Sequence, residues 1–231
     1  MKKIRKTSEL MWLFGVIFIA LGVSICSKAD LGVSMIAAPA FILSGALQGT
    51  FSWLSVGVVE YIVQGIMLVL MCLLIRRFKW QYLLAFLVGV FYGYTLDLFL
   101  WILVDFAPVA LWSRWLTLIL GDVVTAFGVA CFFRTYMPVQ VFELFVAEVA
   151  DRYHFTVTRV KWVYDLSLLA LSGLLAVLTG CYQGIGLGTL VTTFINAFII
   201  LFWSKMLDAC TVPTPLVPAL ARILTTKGKG E

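Results

Sequence analysis

Four acidic residues, Glu60, Asp97, Asp122 and Asp165, stand inside long apolar runs. A carboxylate at mid-membrane costs about 2.5–3.5 kcal/mol on insertion scales, so such residues face protein or water rather than lipid. In that setting a carboxylate binds a polar solute or handles a coupling proton, because a low-dielectric surrounding disfavours the charged form of an acid. The plainer alternative is hydrogen bonding between helices, and it weighs most at Asp122, where Gly121-Asp122 reads as a packing feature.

Two cations call for the opposite chemistry. Lys28 and Arg134 follow the first and fourth apolar runs, each just ahead of a helix breaker, Gly32 or Pro138. A broken helix offers free N–H groups and a positive dipole end where its second segment starts. With a cation beside it, such a site favours a carboxylate, sulfonate or phosphate. Snorkelling to the interface is the competing account of both residues. Gly184, Gly186 and Gly188 open the last run. They provide either backbone exposed to a ligand or close helix packing through small residues. The expected solute-binding set is Lys28, Glu60, Asp97, Arg134, Asp165, Asn196, Gly186 and Gly188.

These residues must be positioned by helices in a bilayer. Hydrophobic residues make up 62% of the 231 and charged residues 13%, with a mean hydropathy of +1.04. No soluble globule hides that much apolar surface. About 20 helical residues cross the hydrocarbon core, which gives six spans near 10–27, 54–75, 80–104, 112–133, 162–182 and 185–207. The start imitates a signal peptide, with Lys2, Lys3, Arg5 and Lys6 ahead of an apolar run, but five further spans point to an uncleaved first helix. Of the 17 Lys and Arg, fifteen fall on the side of the N-terminus and only Lys28 and Arg114 on the other. The positive-inside rule therefore makes both termini cytoplasmic. The net charge of +5 reflects this bias and contact with anionic lipid, not nucleic acid. Arg114 is expected to be a loop charge only. The tryptophans cluster near span ends as an aromatic belt.

The chain reads as one domain, 1–231, made of two similar halves, about 10–104 and 112–208, with a cytoplasmic tail 209–231. Gly22 and Gly128 are 106 residues apart, as are Lys28 and Arg134, and Gly32 and Pro138. In each half a short apolar segment follows the break, 35–47 and 139–150, too short to span. Val58-Val59-Glu60-Tyr61 resembles Val163-Tyr164-Asp165-Leu166, and Asp97 falls opposite Asn196. Three spans per half force the halves into opposite orientations. The expected fold is an all-α membrane protein of six transmembrane helices, two inverted three-helix repeats, with a broken or re-entrant segment after the first helix of each.

The run Leu21-Gly22 through Lys28-Ala29-Asp30-Leu31-Gly32-Val33-Ser34, together with Gly184-Ile185-Gly186-Leu187-Gly188-Thr189, resembles the YczE/YitT-type bacterial membrane proteins over nearly the whole chain. Ser34-Met35 stands where a proline is expected soon after Leu31-Gly32. The resemblance implies this fold and a multi-pass place in the bacterial cytoplasmic (inner) membrane.

Catalytic signals are weak. The single histidine, His154, lies in a loop beside Arg152, and neither a P-loop nor H-E-x-x-H occurs. The five cysteines are scattered, with no C-x-x-C. The chain is expected to be no enzyme, with no catalytic residues, no cofactor and no metal site. The leading expectation is a transporter that moves a small polar solute by alternating access, anionic if Lys28 and Arg134 face the site, with one carboxylate carrying a coupling proton. The alternatives are a substrate-capture membrane subunit of a multi-component importer, as in energy-coupling-factor systems, and a non-transporting membrane scaffold. The expected partners are the lipid bilayer and the solute, with a homodimer or partner subunits left open and no nucleic acid.

Overall fold

Residues 4–214 are described by a computed structural model. The order is β1 (Ile4–Thr7), α1 (Ser8–Lys28), α2 (Ala38–Leu47), α3 (Val56–Ile75), α4 (Trp80–Ile102), α5 (Leu111–Phe132), α6 (Val141–Tyr153), α7 (Val157–Thr179), α8 (Leu187–Cys210) and β2 (Thr211–Thr214). Six of these helices, α1, α3, α4, α5, α7 and α8, contain stretches long and apolar enough to cross a bilayer, each within three residues of the expected span ends. The protein is a multi-pass integral membrane protein. The two short segments after the breaks are the helices α2 and α6.

One feature departs from the all-helical expectation. β1 and β2 pair in parallel, Ile4 opposite Thr211 through Thr7 opposite Thr214. The chain start thus lies beside the residues that follow α8, as an even number of spans allows. The expected tail, 209–231, lies outside the described residues from 215 onward.

Local chemistry sets several helix ends. Ser55 caps α3 by accepting from the Val58 amide at 3.2 Å, and Thr156 caps α7 by accepting from the Arg159 amide. Such caps satisfy N–H groups that the first turn leaves free. Pro39 stands in the first turn of α2, where its missing N–H is no loss. α7 stops at Gly180, whose φ of 68° is left-handed.

The core is the antiparallel crossing of α1 and α5, the most extensive contact in the molecule. Gly22 of α1 lies against Gly121 of α5, and Gly15 lies against Gly128. A Cβ on Gly22 would stand 2.6 Å from the Gly121 carbonyl oxygen, and one on Gly128 2.8 Å from that of Gly15. In lipid there is no hydrophobic drive between helices, so close backbone approach through small residues supplies the packing. Val16, Ala20, Val23 and Leu118 are buried around the seam.

The other contacts are reciprocal. α1 packs on α4 and α5 on α8. α2 packs on α7 and α3 on α6. Phe142, Val146 and Ala150, one face of α6, meet Val160, Tyr164 and Leu168 of α7. Two pairings lack a counterpart of like extent: α4 touches α6 while α8 and α2 touch at most marginally, and α3 packs closely along α4, helped by Gly57 against Gly93, whereas α7 and α8 touch at most marginally.

Candidate functional site

A cavity of about 270 Å³ is lined by residues of α1 and α3–α8 and of the segment before α2. The segment Ser34–Ala37 leading into α2 lines it, and so do Gln140 and Glu143 at the start of α6. Glu60 of α3, Tyr92 of α4, Lys161 and Asp165 of α7, and Asn196 of α8 complete its polar lining, with Thr125, Thr192 and Thr193. The rest is apolar. A wider groove of about 520 Å³ beside α3, α6 and α7 has Arg159 as its one charged lining residue.

Three of these groups, Lys161, Asp165 and Asn196, are held by side-chain partners. Lys161 Nζ contacts Asp165 Oδ1 at 2.9 Å, one turn away on α7. Asn196 Nδ2 donates to Asp122 Oδ1 at 2.6 Å, tying α8 to α5. Others lack partners. Glu60 is 2% exposed and its Oε2 has no hydrogen-bond partner; Gln140, 5% exposed, has none for Nε2. Glu143 Oε2 and the Tyr164 hydroxyl are buried and unpartnered as well. Glu60 and Glu143 lie within electrostatic range of each other, and Glu143 within range of Lys161 and Asp165. Native proteins leave few buried polar atoms unsatisfied; those of Glu60, Gln140 and Glu143 share this cavity, while Tyr164 lines the wider groove.

The expected site residues divide sharply. Glu60, Asp165 and Asn196 meet at the cavity. Asp97 does not: its Oδ1 accepts from the Gly57 amide at 2.8 Å and its Oδ2 from the Ser55 hydroxyl at 2.5 Å. It stabilises the positive N-terminal end of α3 from the neighbouring helix. Asp97→Asn is expected to lower stability by about 1–2 kcal/mol, as loss of a cap does, with ligand binding per folded molecule unchanged. Thermal melts alongside a binding titration check this.

The cations also lie elsewhere. Lys28 Nζ is 3.5 Å from the Val104 carbonyl oxygen, at the far end of α4. Arg134 donates to Asp208 Oδ1 at 2.8 Å, to Ser204 Oγ at 3.2 Å and to the Ala130 carbonyl at 3.0 Å. It bolts the end of α5 to α8, and neither cation lines the cavity.

The glycines form a joint. Gly188 N donates to the Leu31 carbonyl at 2.7 Å and Val33 N to that of Gly184 at 2.9 Å. Gly32, with a φ of 111°, stands where a Cβ would meet Thr189 and the Gly186 amide. The break after α1 and the Gly-x-Gly-x-Gly start of α8 are thus two sides of one backbone-to-backbone contact. Gly186 and Gly188 do not line the cavity.

Arg114 is more than a loop charge. Its Nε donates to the Ala29 carbonyl at 2.8 Å, and its Nη2 to both the carbonyl and the carboxylate of Asp30. Asp30 has a φ of 50°, so Arg114 holds a left-handed turn that costs energy in a non-glycine residue. The Asp30 side chain is 89% exposed, so the ion pair itself adds little. Arg114→Ala is expected to cost about 1–2 kcal/mol through the lost carbonyl bonds and Lys28→Ala much less, read from parallel thermal melts.

Sequence reasoning missed Glu143, Gln140 and Lys161. Glu143 follows the Pro138 break by five residues, and that proximity was the available signal. Lys161 lies just outside the span expected at 162–182, yet it belongs to α7 and pairs with Asp165.

No curated protein and no solved structure matches the sequence. Residues 6–205 match DUF6198, a family of unknown function, and the chain belongs to that family.

Proposed function

We propose that the protein is a transporter of a small polar solute, working by alternating access between two inverted repeats, α1–α4 and α5–α8. The observation that carries this reading is the cavity lined by Glu60, Gln140 and Glu143, each with one buried side-chain atom that makes no hydrogen bond. Buried polar atoms without partners are costly, and a ligand that completes their bonds offsets the cost. Solute sites near the midplane, at the junction of repeats and at the starts of broken helices, are characteristic of secondary transporters.

The repeat reading rests on three matches. Each half runs long, short, long, long in helix length. A shift of 106 residues converts the contact Gly22–Gly121 into Gly128–Gly15, which is the other contact of the seam. A two-fold axis through the α1–α5 crossing accounts for that. The contacts α2 on α7 and α3 on α6 exchange under the same shift. The marginal α7–α8 contact, against close α3–α4 packing, fits alternating access, with one half open while the other is closed. α2 and α6 act as re-entrant elements whose starts meet at the cavity. The residues that carry the YczE/YitT resemblance meet in the Leu31–Gly188 joint.

In this reading the protein lies in a bacterial cytoplasmic membrane with both termini inside. Single cysteines near Arg77 and His154 are expected to label only from the cytoplasm, and one near Pro108 only from outside. A His154-region cysteine that labels from outside reverses the orientation.

The decisive test is flux. Pure protein in liposomes is loaded with a metabolite found by thermal-shift screening, where a ligand at 100 times its Kd stabilises by about 2.7 kcal/mol. Uptake by the pure protein supports the transporter. Binding without flux favours a capture subunit, and neither binding nor flux a scaffold.

A further inference from the structure

The charge of the cavity runs against an anionic solute. Three carboxylates, Glu60, Glu143 and Asp165, line it with one cation, Lys161. Lys161 is already engaged by Asp165 at 2.9 Å. Glu60 and Glu143 line the same space, each with a buried oxygen that accepts no hydrogen bond, and Lys161 is the one lining cation that acts on Glu143 as well as Asp165. Glu60 is 2% exposed, so water cannot screen it, and Gln140, 5% exposed, has an open amide nitrogen beside them. A buried carboxylate needs a counter-charge or a proton.

The short helices supply no anion site to offset this. At the start of α2 the Ala37 and Ala38 amides already donate to the Ser34 carbonyl, each at 3.0 Å. Pro39 has no N–H. At the start of α6, Glu143 itself occupies the first turn and hydrogen-bonds backbone there. A second carboxylate brought to that end meets one already present.

Size and lining narrow the cation. At about 30 Å³ per water-sized group, a volume of about 270 Å³ has room for about nine such groups. A bare alkali or alkaline-earth ion wants several oxygen ligands in a tight shell. This cavity is mostly apolar and far wider than such a shell. Two aromatic rings, Tyr92 and Phe133, line it, and Tyr92 is within electrostatic range of both glutamates. Aromatic faces attract ammonium groups when desolvated.

We infer that the solute is a compact organic ammonium ion, with Glu60 and Glu143 binding its protonated nitrogen and the apolar lining receiving its body. This names the substrate class of the transporter proposed above and rests on that reading for its role as cargo.

The test uses full-length protein in detergent, with four organic probes and one salt: n-butylammonium, 2-phenylethylammonium, butyrate, 3-phenylpropionate and sodium chloride. The ammonium probes are expected to raise the melting temperature, while the matched carboxylates and sodium do not. By calorimetry Glu60→Gln and Glu143→Gln are each expected to raise the ammonium Kd at least tenfold, and Asp105→Asn, in an exposed loop, to leave it unchanged. Cooperative melting of each variant without ligand guards against misfolding, and Glu143→Gln carries the test if Glu60→Gln does not fold. Four results overturn the inference: stabilisation by the carboxylates as large as by the ammonium ions, a sodium effect that Glu60→Gln abolishes, ammonium affinity unchanged in both glutamate variants, or no binding of either ammonium. Liposome flux separates this from the transporter reading. Glutamate-dependent ammonium binding without flux upholds the cation site and removes transport. Flux of an anionic or neutral solute without ammonium binding does the reverse.

Discussion

Gly22→Leu is expected to abolish the folded protein. A Cβ at that position stands 2.5 Å from the Thr125 amide nitrogen and 2.6 Å from the Gly121 carbonyl oxygen. Both obstacles are backbone of α5, so no rotamer change relieves them and the two helices must separate. Overpacking a well-filled core costs about 1–3 kcal/mol when side chains can shift; here the strain spreads along the whole α1–α5 seam. Gly121→Leu meets Cys26 N at 2.8 Å and Gly22 O at 2.8 Å and is expected to fail in the same way. Gly173, with nothing within 4 Å of its Cβ position, is the control: Gly173→Leu is expected to purify and melt like the wild type. Size-exclusion profiles and thermal melts in detergent decide it. A Gly22→Leu protein that melts with the wild type removes the seam as the organising contact.

The second large effect has the opposite signature. Glu60→Gln is expected to lower ligand affinity and flux about 10- to 100-fold while leaving the melting temperature unchanged or raised. The Glu60 side chain is buried with Oε2 unpartnered. Gln preserves its shape and hydrogen-bonding reach but removes the charge. A hydrogen bond to a charged group is worth about 1.5–3 kcal/mol, and each 1.4 kcal/mol is about tenfold in affinity. Without ligand, the wild type carries the cost of a buried acid with one oxygen unmet, and the neutral variant carries less. Stability given up for a binding group is a common pattern at functional sites. Asp165→Asn is expected to reduce flux too, with some stability lost, because it leaves Lys161 without its partner. Should Glu60→Gln unfold the protein, Glu60 is a structural group and the cavity loses its principal acid.

These two residues also mark how far the sequence reaches. By itself it determined the solvent and the elements. Long apolar runs cannot be satisfied except in lipid, and backbone in lipid must be helical, so six spans and two short interrupted segments follow from composition and length. It also determined which acids had to be shielded, because a lipid-facing carboxylate is too costly. That argument holds for Glu60, Asp165, Asp122 and Asp97 alike, and for that reason it could not sort them. The sorting is a matter of which helix lies opposite. Asp97 faces the N-terminus of α3 and becomes a cap. Asp122 faces Asn196. Glu60 faces a space. Nothing in the local sequence of these residues differs enough to foretell that.

The cations show the same limit. Lys28 and Arg134 share a spacing and a neighbouring break, so by sequence they form a pair. In three dimensions each reaches across to a different neighbouring helix end, Lys28 to Val104 and Arg134 to Ser204 and Asp208. Meanwhile Lys161 and Glu143, which looked like ordinary charges of a loop and a short helix, are carried to the cavity by the docking of α6 against α3 and α7. Spacing within a helix is fixed by its 3.6-residue period. Which faces meet across the bundle is fixed by where glycines let backbones touch, and only the assembled helices decide that.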